Sequence, residues 1–260
     1  KRPSLDADMR TQITTIYESG QQLLVLINDM LDMTRIEADV MVFHHRRANL
    51  HELVDQVLLI HQLAAQAKQL SLQIEFAALT PHLIETDVDK VKRILMNLIG
   101  NAIKFTEAGG VTLSVACCPI APAGADAEYA GAPTQRLLVT EVRDTGIGIP
   151  PALHEQIFAE FTQINTTTPE AAQGLGLGLS ISRRLARLMG GDLTVTSSGV
   201  PGAGACFRLA VPVICITDTA PAPAPPQDAP VGAVSTAAAG VVMLVAEDID
   251  ANRALLAYHL

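Results

Sequence analysis

The sequence predicts an α+β domain preceded by one long bundle-forming helix. Near the start, apolar residues recur at alternating three- and four-residue steps between Ile13 and Thr34, which is typical of a helix in a bundle. Further on, amphipathic helical segments alternate with short segments in which polar and apolar residues alternate, as in half-buried strands. With 260 residues, 49% of them hydrophobic, the chain can form one or two domains with a sizeable core.

The first helix carries an apolar stripe that it cannot bury alone. We expect this stripe to pack against a second helix, and against a second chain in a homodimer of the full protein. The alternative is a helix that folds back onto its own globular domain. The stripe consists of Ile13, Ile16, Gly20, Leu23, Ile27 and Met30, widened by Leu24 and Leu31.

The elements after this helix follow from local periodicity and from turn residues. A Pro/Ala/Gly stretch at 119–133 is expected to be the disordered tip of a hairpin, and a Gly-rich polar segment occupies 162–174. In order, the pattern predicts an extended piece at 40–45, a helix at 50–68, a strand at 70–76, a helix at 87–105, hairpin strands at 111–116 and 137–143, a helix at 175–189, and strands at 192–197 and 205–211.

The sequence divides into four parts. Residues 1–40 form the bundle helix, and residues 41–214 form the α+β domain. An Ala/Pro-rich flexible linker spans 215–240, and a new α/β domain begins at 241–260 with an apolar strand followed by Glu247 and Asp248.

Composition excludes several classes of function. A net charge of −9 argues against nucleic-acid binding, which needs clustered Lys and Arg. The four cysteines lack the spacing of a zinc site and are expected to be reduced thiols of a cytoplasmic protein. No apolar run approaches the roughly 20 residues that span a bilayer, so this portion is expected to be soluble and cytoplasmic. An inner-membrane anchor elsewhere in the full-length protein is left open.

Polar residues share one face of the predicted 87–105 helix. Asn97, Asn101 and Lys104 stand at positions i, i+4 and i+7, away from the apolar face. Amide oxygens are suitable ligands for Mg²⁺, and a lysine supplies a point charge for a phosphate. The alternative is an ordinary solvated helix face.

Two glycine-containing segments follow. In the first, Asp144 ends a strand, and Gly146 and Gly148 allow the backbone to approach a flat ligand, although such turns are also common in proteins without one. In the second, Gly174-Leu175-Gly176-Leu177-Gly178 runs into a helix, where free N–H groups and the helix dipole favour an anion. This is neither a P-loop nor a dinucleotide-binding fingerprint.

Together these segments resemble the N, G1, F and G2 boxes of the GHKL ATPase superfamily, and in particular those of sensor histidine kinases. The resemblance extends from about Gln12 to Pro212 and implies a two-layer α/β sandwich of the GHKL (Bergerat) type. The segments that carry it are Asn97–Thr106, Asp144–Pro150, Ile157–Phe161, Gly174–Ile181 and Leu188–Gly191.

The resemblance also implies roles in binding Mg-ATP. Asn101 would coordinate Mg²⁺, Asn97 would lie close to the phosphates, Lys104 would contact phosphate oxygens and Phe105 would lie near the adenine or ribose. Asp144 would accept a hydrogen bond from the adenine amine, with Gly146 and Gly148 admitting the base. The remaining roles are a lid hinge at Phe158 and Phe161, a mobile lid at 162–173, and a phosphate loop containing Gly174, Leu175, Gly176, Leu177 and Gly178.

The flanking segments resemble other parts of the same signalling system. Residues 26–38 look like the end of the second helix of a dimerisation and histidine-phosphotransfer hairpin, and 244–253 looks like the start of a receiver domain. Glu247 and Asp248 match the receiver's Mg²⁺-binding acidic pair, which implies a hybrid kinase, although an acidic turn after a strand is the alternative. No His-Glu-x-x-x-Pro acceptor phrase is present, and we interpret His51 as an ordinary helix-start residue.

The implied activity is transfer of the γ-phosphoryl group of ATP to a histidine in a two-component phosphorelay, with a receiver or response regulator as partner. This chain is expected to bind ATP without phosphorylating itself. Two departures suggest weaker phosphate contacts: no basic residue at 162–173, and Ala205-Cys206 where the family has hydroxyl residues. The lid without basic residues favours the alternative of a nucleotide-gated binding module, whereas intact Asn101, Asp144 and glycine boxes favour the kinase. Another GHKL ATPase is a third possibility.

Overall fold

The computed structural model of the protein describes residues 7–38, 40–120, 134–162 and 176–216. Most of the predicted hairpin tip, most of the Gly-rich segment together with Leu175, and the linker and receiver-like segment from 217 onwards lie outside these residues.

Four α-helices lie in the described part of the chain: α1 (Ala7–Glu37), α2 (Leu50–Ala67), α3 (Val88–Phe105) and α4 (Gly178–Leu188). Side chains cap the N-termini of two of them. The Asn49 carboxamide accepts hydrogen bonds from the backbone N–H groups of the first turn of α2, and Asp87 accepts one from Lys90 N in α3. None of the described helices is both long and apolar enough to cross a membrane.

A mixed sheet forms the second layer of the domain. Its described strands are β1 (Arg46–Asn49), β2 (Ser71–Phe76), β3 (Leu83–Thr86), β4 (Gly110–Pro119), β5 (Thr134–Asp144), β6 (Asp192–Ser197) and β7 (Ala205–Ile216). The strand order is β1-β3-β7-β5-β4-β2, and β6 also pairs with β7. Strands β2 and β4 are parallel, whereas the other neighbours are antiparallel.

The helices cover one face of this sheet. In β4, Val111, Leu113 and Val115 are buried, and the residues between them are only partly buried. These side chains join a core that includes Leu95 and Leu98 of α3. The predicted α+β class and two-layer arrangement are therefore confirmed, and β4 and β5 form the expected hairpin.

Two short strands differ from the sequence prediction. The extended piece predicted at 40–45 has no regular structure, and the strand begins at Arg46. Strand β3 was not predicted. It is four residues long and is defined by its pairing with β1 and with the end of β7. Such short strands depend on distant partners more than on local pattern. Strand β7 is longer than predicted, since it continues to Ile216 rather than ending at 211.

Helix α1 contacts the domain through its C-terminal end. Ile36 is buried in the core, and Asp32, also buried, forms an ion pair with Arg93 of α3. The apolar stripe nearer the N-terminus is exposed, with Ile16 at 73% and Leu23 at 57%. The stripe is therefore available to another helix.

Lys68, the residue that follows the last residue of α2, caps the C-terminal end of α3. The Lys68 ammonium donates hydrogen bonds to the carbonyl oxygens of Ile103 (2.9 Å), Lys104 (2.8 Å) and Thr106 (3.4 Å). The last carbonyls of a helix lack intrahelical partners and carry partial negative charge, so a cation satisfies them. Lys68 thereby ties α2 to the end of α3 that carries Lys104 and Phe105.

We expect Lys68→Met to lower the free energy of unfolding by about 1 kcal/mol, because the methionine keeps the apolar stem and loses the hydrogen bonds to the carbonyls. Urea denaturation measures the change. The control is Lys90→Met, at a half-buried lysine in the first turn of α3. Equal losses in the two variants would contradict a specific role for Lys68.

Candidate functional site

The polar face of α3 holds a hydrogen-bonded pair of carboxamides, Asn97 and Asn101, which we call the amide pair. Asn101 Nδ2 donates to Asn97 Oδ1 over 3.3 Å, and both residues are half-buried. Lys104 lies one turn later, with its Nζ 5.1 Å from the centroid of the Phe105 ring. Burial lowers the pKa of Lys104, whereas a phosphate beside it would favour the charged form.

Asp144 stands at the end of β5 as a buried carboxylate. Its Oδ1 accepts hydrogen bonds from Gly146 N (2.8 Å) and from Ala205 N (3.2 Å). Burial raises the pKa of Asp144, and the two N–H groups partly offset this rise. They also hold one oxygen in place, which leaves the other as an acceptor for a ligand's N–H group.

The Asp144 turn (144–150) packs directly against the end of α3. A Cβ added to Gly146 would lie 2.3 Å from the carbonyl oxygen of Phe105. The same carbonyl accepts a hydrogen bond from Ile147 N over 3.4 Å. The close approach requires glycine at position 146, so this residue has a packing role in addition to the predicted role in admitting a base.

The N-terminus of α4 meets α3 at Asn97. A Cβ added to Gly178 would lie 2.4 Å from Asn97 Oδ1, so a side chain at this position has no room. Leu177 gives α4 no side-chain cap, and the N–H groups of its first turn are therefore suited to an anion. Gly176 has a positive φ of 69°, whereas Gly174 and Leu175 lie outside the described residues.

The two phenylalanines predicted to act together have different environments. Phe158 packs edge-on against Phe207, with 6.5 Å between ring centroids, and the guanidinium of Arg183 lies 4.5 Å from its ring. Phe161 is 63% exposed and has a positive φ of 58°. Phe158 is therefore anchored in the domain, and Phe161 is not.

Sequence reasoning missed Arg183. Its guanidinium donates to the Glu155 carboxylate (2.7 Å) and to Asp192 Oδ1 (3.2 Å). The hydrogen bond and charge of Arg183 lower the pKa of Glu155. The arginine thus fixes the 155–158 segment to α4, and no local pattern in the sequence indicates the distant carboxylate that it contacts.

The substitutions at 205 and 206 lie near Asp144 rather than in the first turn of α4. The backbone N–H of Ala205 bonds Asp144, and this contact needs no hydroxyl. The Cys206 thiol lies 4.0 Å from the Glu141 carboxylate. We therefore revise the expectation for these two positions: in the described structure neither contacts the candidate phosphate site at α4.

The donor set suits a magnesium ion that is bound mainly by a nucleotide. No described residue donates a hydrogen bond to Asn101 Oδ1, which leaves this hard oxygen as a ligand. Across the described ranges, no group of three His, Cys, Asp or Glu side chains is placed to hold a metal. Mg²⁺ commonly takes one or two protein ligands together with phosphates and water, so these residues fit it.

Comparison with known proteins identifies the family of this chain. Residues 86–214 match the family described as histidine kinase-, DNA gyrase B-, and HSP90-like ATPase. The virulence sensor protein BvgS of Bordetella bronchiseptica is 34% identical over 260 residues, which is all of this chain and 20% of that protein. Hybrid signal transduction histidine kinase B of Dictyostelium discoideum is 34% identical over 212 residues, 82% of this chain and 10% of that protein.

A solved structure is also similar. The crystal structure of full-length ShkA in complex with AMPPNP superposes with a TM-score of 0.64 at 32% identity, covering 82% of this chain and 40% of that one. The chain belongs to this ATPase family and, within it, to the sensor histidine kinases. It spans only 10% to 20% of the length of the two curated relatives named above.

We expect Gly178→Ala to destabilise the domain by about 1 kcal/mol, although alanine is normally favoured over glycine in a helix by a similar amount. The added methyl group would collide with Asn97. The control is Gly20→Ala in α1, where a Cβ meets nothing within 4 Å. Thermal or urea unfolding measures both, and a Gly178→Ala variant as stable as the wild type would show that α4 can move away from α3.

Proposed function

We propose that this chain binds Mg-ATP and transfers the γ-phosphoryl group to a histidine in a two-component phosphorelay. The observation that carries the proposal is the convergence of two separate segments on the polar face of α3. The Asp144 turn abuts the Phe105 carbonyl and the α4 N-terminus abuts Asn97, and Asn101 and Lys104 lie between these contacts along the helix. The AMPPNP in the ShkA crystal structure supports ATP as the ligand.

The two ends of this site suit the two ends of a nucleotide. Asp144, buried and held by two N–H groups, is suited to accept a hydrogen bond from the exocyclic amine of adenine. The first turn of α4 and Lys104 offer N–H groups and a cation to the phosphates. Asn101 Oδ1 would hold Mg²⁺, which would compensate charge on the phosphate oxygens when bound.

In the proposed reaction, an imidazole nitrogen of the acceptor attacks the γ-phosphorus in line. The N–P bond forms as the bond from phosphorus to the β,γ-bridging oxygen breaks, and ADP leaves. The residues of this chain contribute by positioning the phosphates and by stabilising their charge, which are the main requirements of phosphoryl transfer. A base outside the described site would take the proton of the imidazole.

His51 is poorly suited to be the acceptor. Its ring is stacked between Phe76 and His82, with centroid distances of 4.0 Å and 4.3 Å. Its Nδ1 is buried without a hydrogen-bond partner, and burial lowers its pKa. The acceptor is therefore proposed to be a different histidine, on a partner helix.

The flanking segments support a larger assembly. The exposed stripe of α1 suits the first helix of a dimerising hairpin, and we propose a homodimer of the full protein through this hairpin. The alignment with BvgS spans all of this chain, including the receiver-like 241–260, and another relative is named a hybrid kinase. A receiver or response regulator is thus the proposed next phosphoacceptor, in an intracellular part of the protein.

The alternative is a nucleotide-gated binding module with little transfer activity. The absence of Lys and Arg between 162 and 173 favours it, because the segment offers no cation to the γ-phosphate. Such a module would bind ATP at the same site as the kinase and would differ from it only in not transferring the phosphoryl group to a histidine.

We expect calorimetric titration with Mg-ATP to detect binding that Asn101→Ala and Asp144→Asn each weaken by at least about tenfold, which is about 1.4 kcal/mol. The first variant removes the metal ligand, and the second replaces a pure acceptor with an amide. Asp89→Asn, at an exposed residue paired with Arg46, is the matched control and should bind as the wild type does. Binding that is absent, or indifferent to both substitutions, would refute the nucleotide site.

Transfer is tested separately from binding. We expect γ-labelled ATP and this chain to place acid-labile phosphate on a separately produced helical hairpin that carries a His-Glu-x-x-x-Pro phrase. A hairpin with His→Gln at the acceptor is the control and should stay unlabelled. Binding of ATP without labelling of the hairpin would favour the module over the kinase.

A further inference from the structure

One buried hydroxyl near the site has no role in the function proposed above. Ser182 of α4 is 2% exposed. Burying a hydroxyl is unfavourable unless it is hydrogen bonded. Its partner is the amide pair: Asn97 Nδ2 donates to Ser182 Oγ over 2.9 Å, across 85 residues of sequence.

Helix α4 contacts the Asn97 carboxamide at two points. Gly178 and Ser182 are four residues apart and so share one face of α4. Gly178 leaves space for Asn97 Oδ1 at the N-terminus of the helix, and Ser182 accepts from Asn97 Nδ2. The partial positive charge at the helix N-terminus favours the oxygen there over the NH₂ group and thereby selects the orientation of the carboxamide. Ser182 holds this orientation by accepting the hydrogen bond from Nδ2.

This orientation determines that of Asn101. Because Asn97 Nδ2 is directed to Ser182, Asn97 Oδ1 can accept from Asn101 Nδ2. The NH₂ group of Asn101 then faces Asn97, and its Oδ1 accepts no hydrogen bond from a described residue. If Asn97 were reversed, its NH₂ group would take Asn101 Oδ1 as its acceptor, and Asn101 would present NH₂, which cannot bind a cation.

We propose that Ser182 is a positioning residue that holds the amide pair in the orientation in which Asn101 presents its oxygen to the magnesium ion of Mg-ATP. In this proposal Ser182 acts through Asn97, to which it is hydrogen bonded, and not by contacting nucleotide or metal itself. The ligand part of this inference rests on the proposed function, whereas the orientation of the two carboxamides can be measured without nucleotide.

The first test is therefore made on the nucleotide-free chain by NMR of the side-chain NH₂ groups. In Ser182→Ala, the Asn97 NH₂ protons should exchange with water several-fold faster, and the Asn101 NH₂ resonances should shift. Thr140→Val is the matched control, because it removes another buried hydroxyl, one without a hydrogen-bond partner in the described structure. Unchanged Asn97 and Asn101 signals in Ser182→Ala would overturn the proposal.

The second test compares ATP affinity in Mg²⁺ with ATP affinity in EDTA, and free Mn²⁺ is followed by EPR as ATP is added. In Ser182→Ala, the affinity for ATP in EDTA should stay within about twofold of the wild-type value, while the increase in ATP affinity that Mg²⁺ provides should fall by about tenfold. Ser182→Thr, which keeps the hydroxyl, should recover most of this increase.

Equal losses with and without the metal would mean that Ser182 only stabilises α4, and this would overturn the positioning role. A wild-type chain that fails to bind ATP at all, while the NMR changes occur as expected, would refute the proposed function. The ligand part of the inference would fall with it, and the orienting contact would stand.

Discussion

The site depends on how closely α4 can approach α3. Position 178 has no room for a side chain because the Asn97 carboxamide occupies that space, and this contact brings the N-terminus of α4 to the amide pair. At the other end of α3, the Asp144 turn reaches the Phe105 carbonyl, again at a position without space for a Cβ. The polar face of α3 is therefore bounded by two close backbone approaches, and Lys68 holds its last carbonyls.

Electrostatics set a second constraint. A chain with a net charge of −9 does not attract a polyphosphate through its overall field, so attraction has to be local. Arg183 is committed to Glu155 and Asp192, and Arg93 to Asp32. In the proposed function, Lys104, the N–H groups of α4 and a metal held by Asn101 would supply positive charge on the polar face of α3. This division of roles explains why the site uses carboxamides and helix ends rather than a cluster of basic side chains.

The fold was predictable where the signal was local. The helical face bearing Asn97, Asn101 and Lys104, the Asp144 turn, strand β6 at 192–197 and the β4–β5 hairpin all lie where periodicity and turn residues indicated. Strands β1 and β3 did not follow from the pattern, since they are four residues long and are defined by their partners. Helix α4 begins at Gly178 rather than at 175, because Gly176 has a positive φ of 69° that a right-handed helix does not accommodate.

The sequence by itself determined the chemistry available to this protein: two carboxamides and a lysine on one helical face, an aspartate before two glycines, and a glycine-rich entry to a helix. Each of these patterns lies within a few residues of sequence, so it can be recognised without knowledge of the fold. Only the tertiary structure decided which groups hold that chemistry in place. Ser182, Arg183 and Lys68 contact partners 85, 28 and 35 residues away. No periodicity encodes such contacts, because they arise when helices and strands distant in sequence pack against one another.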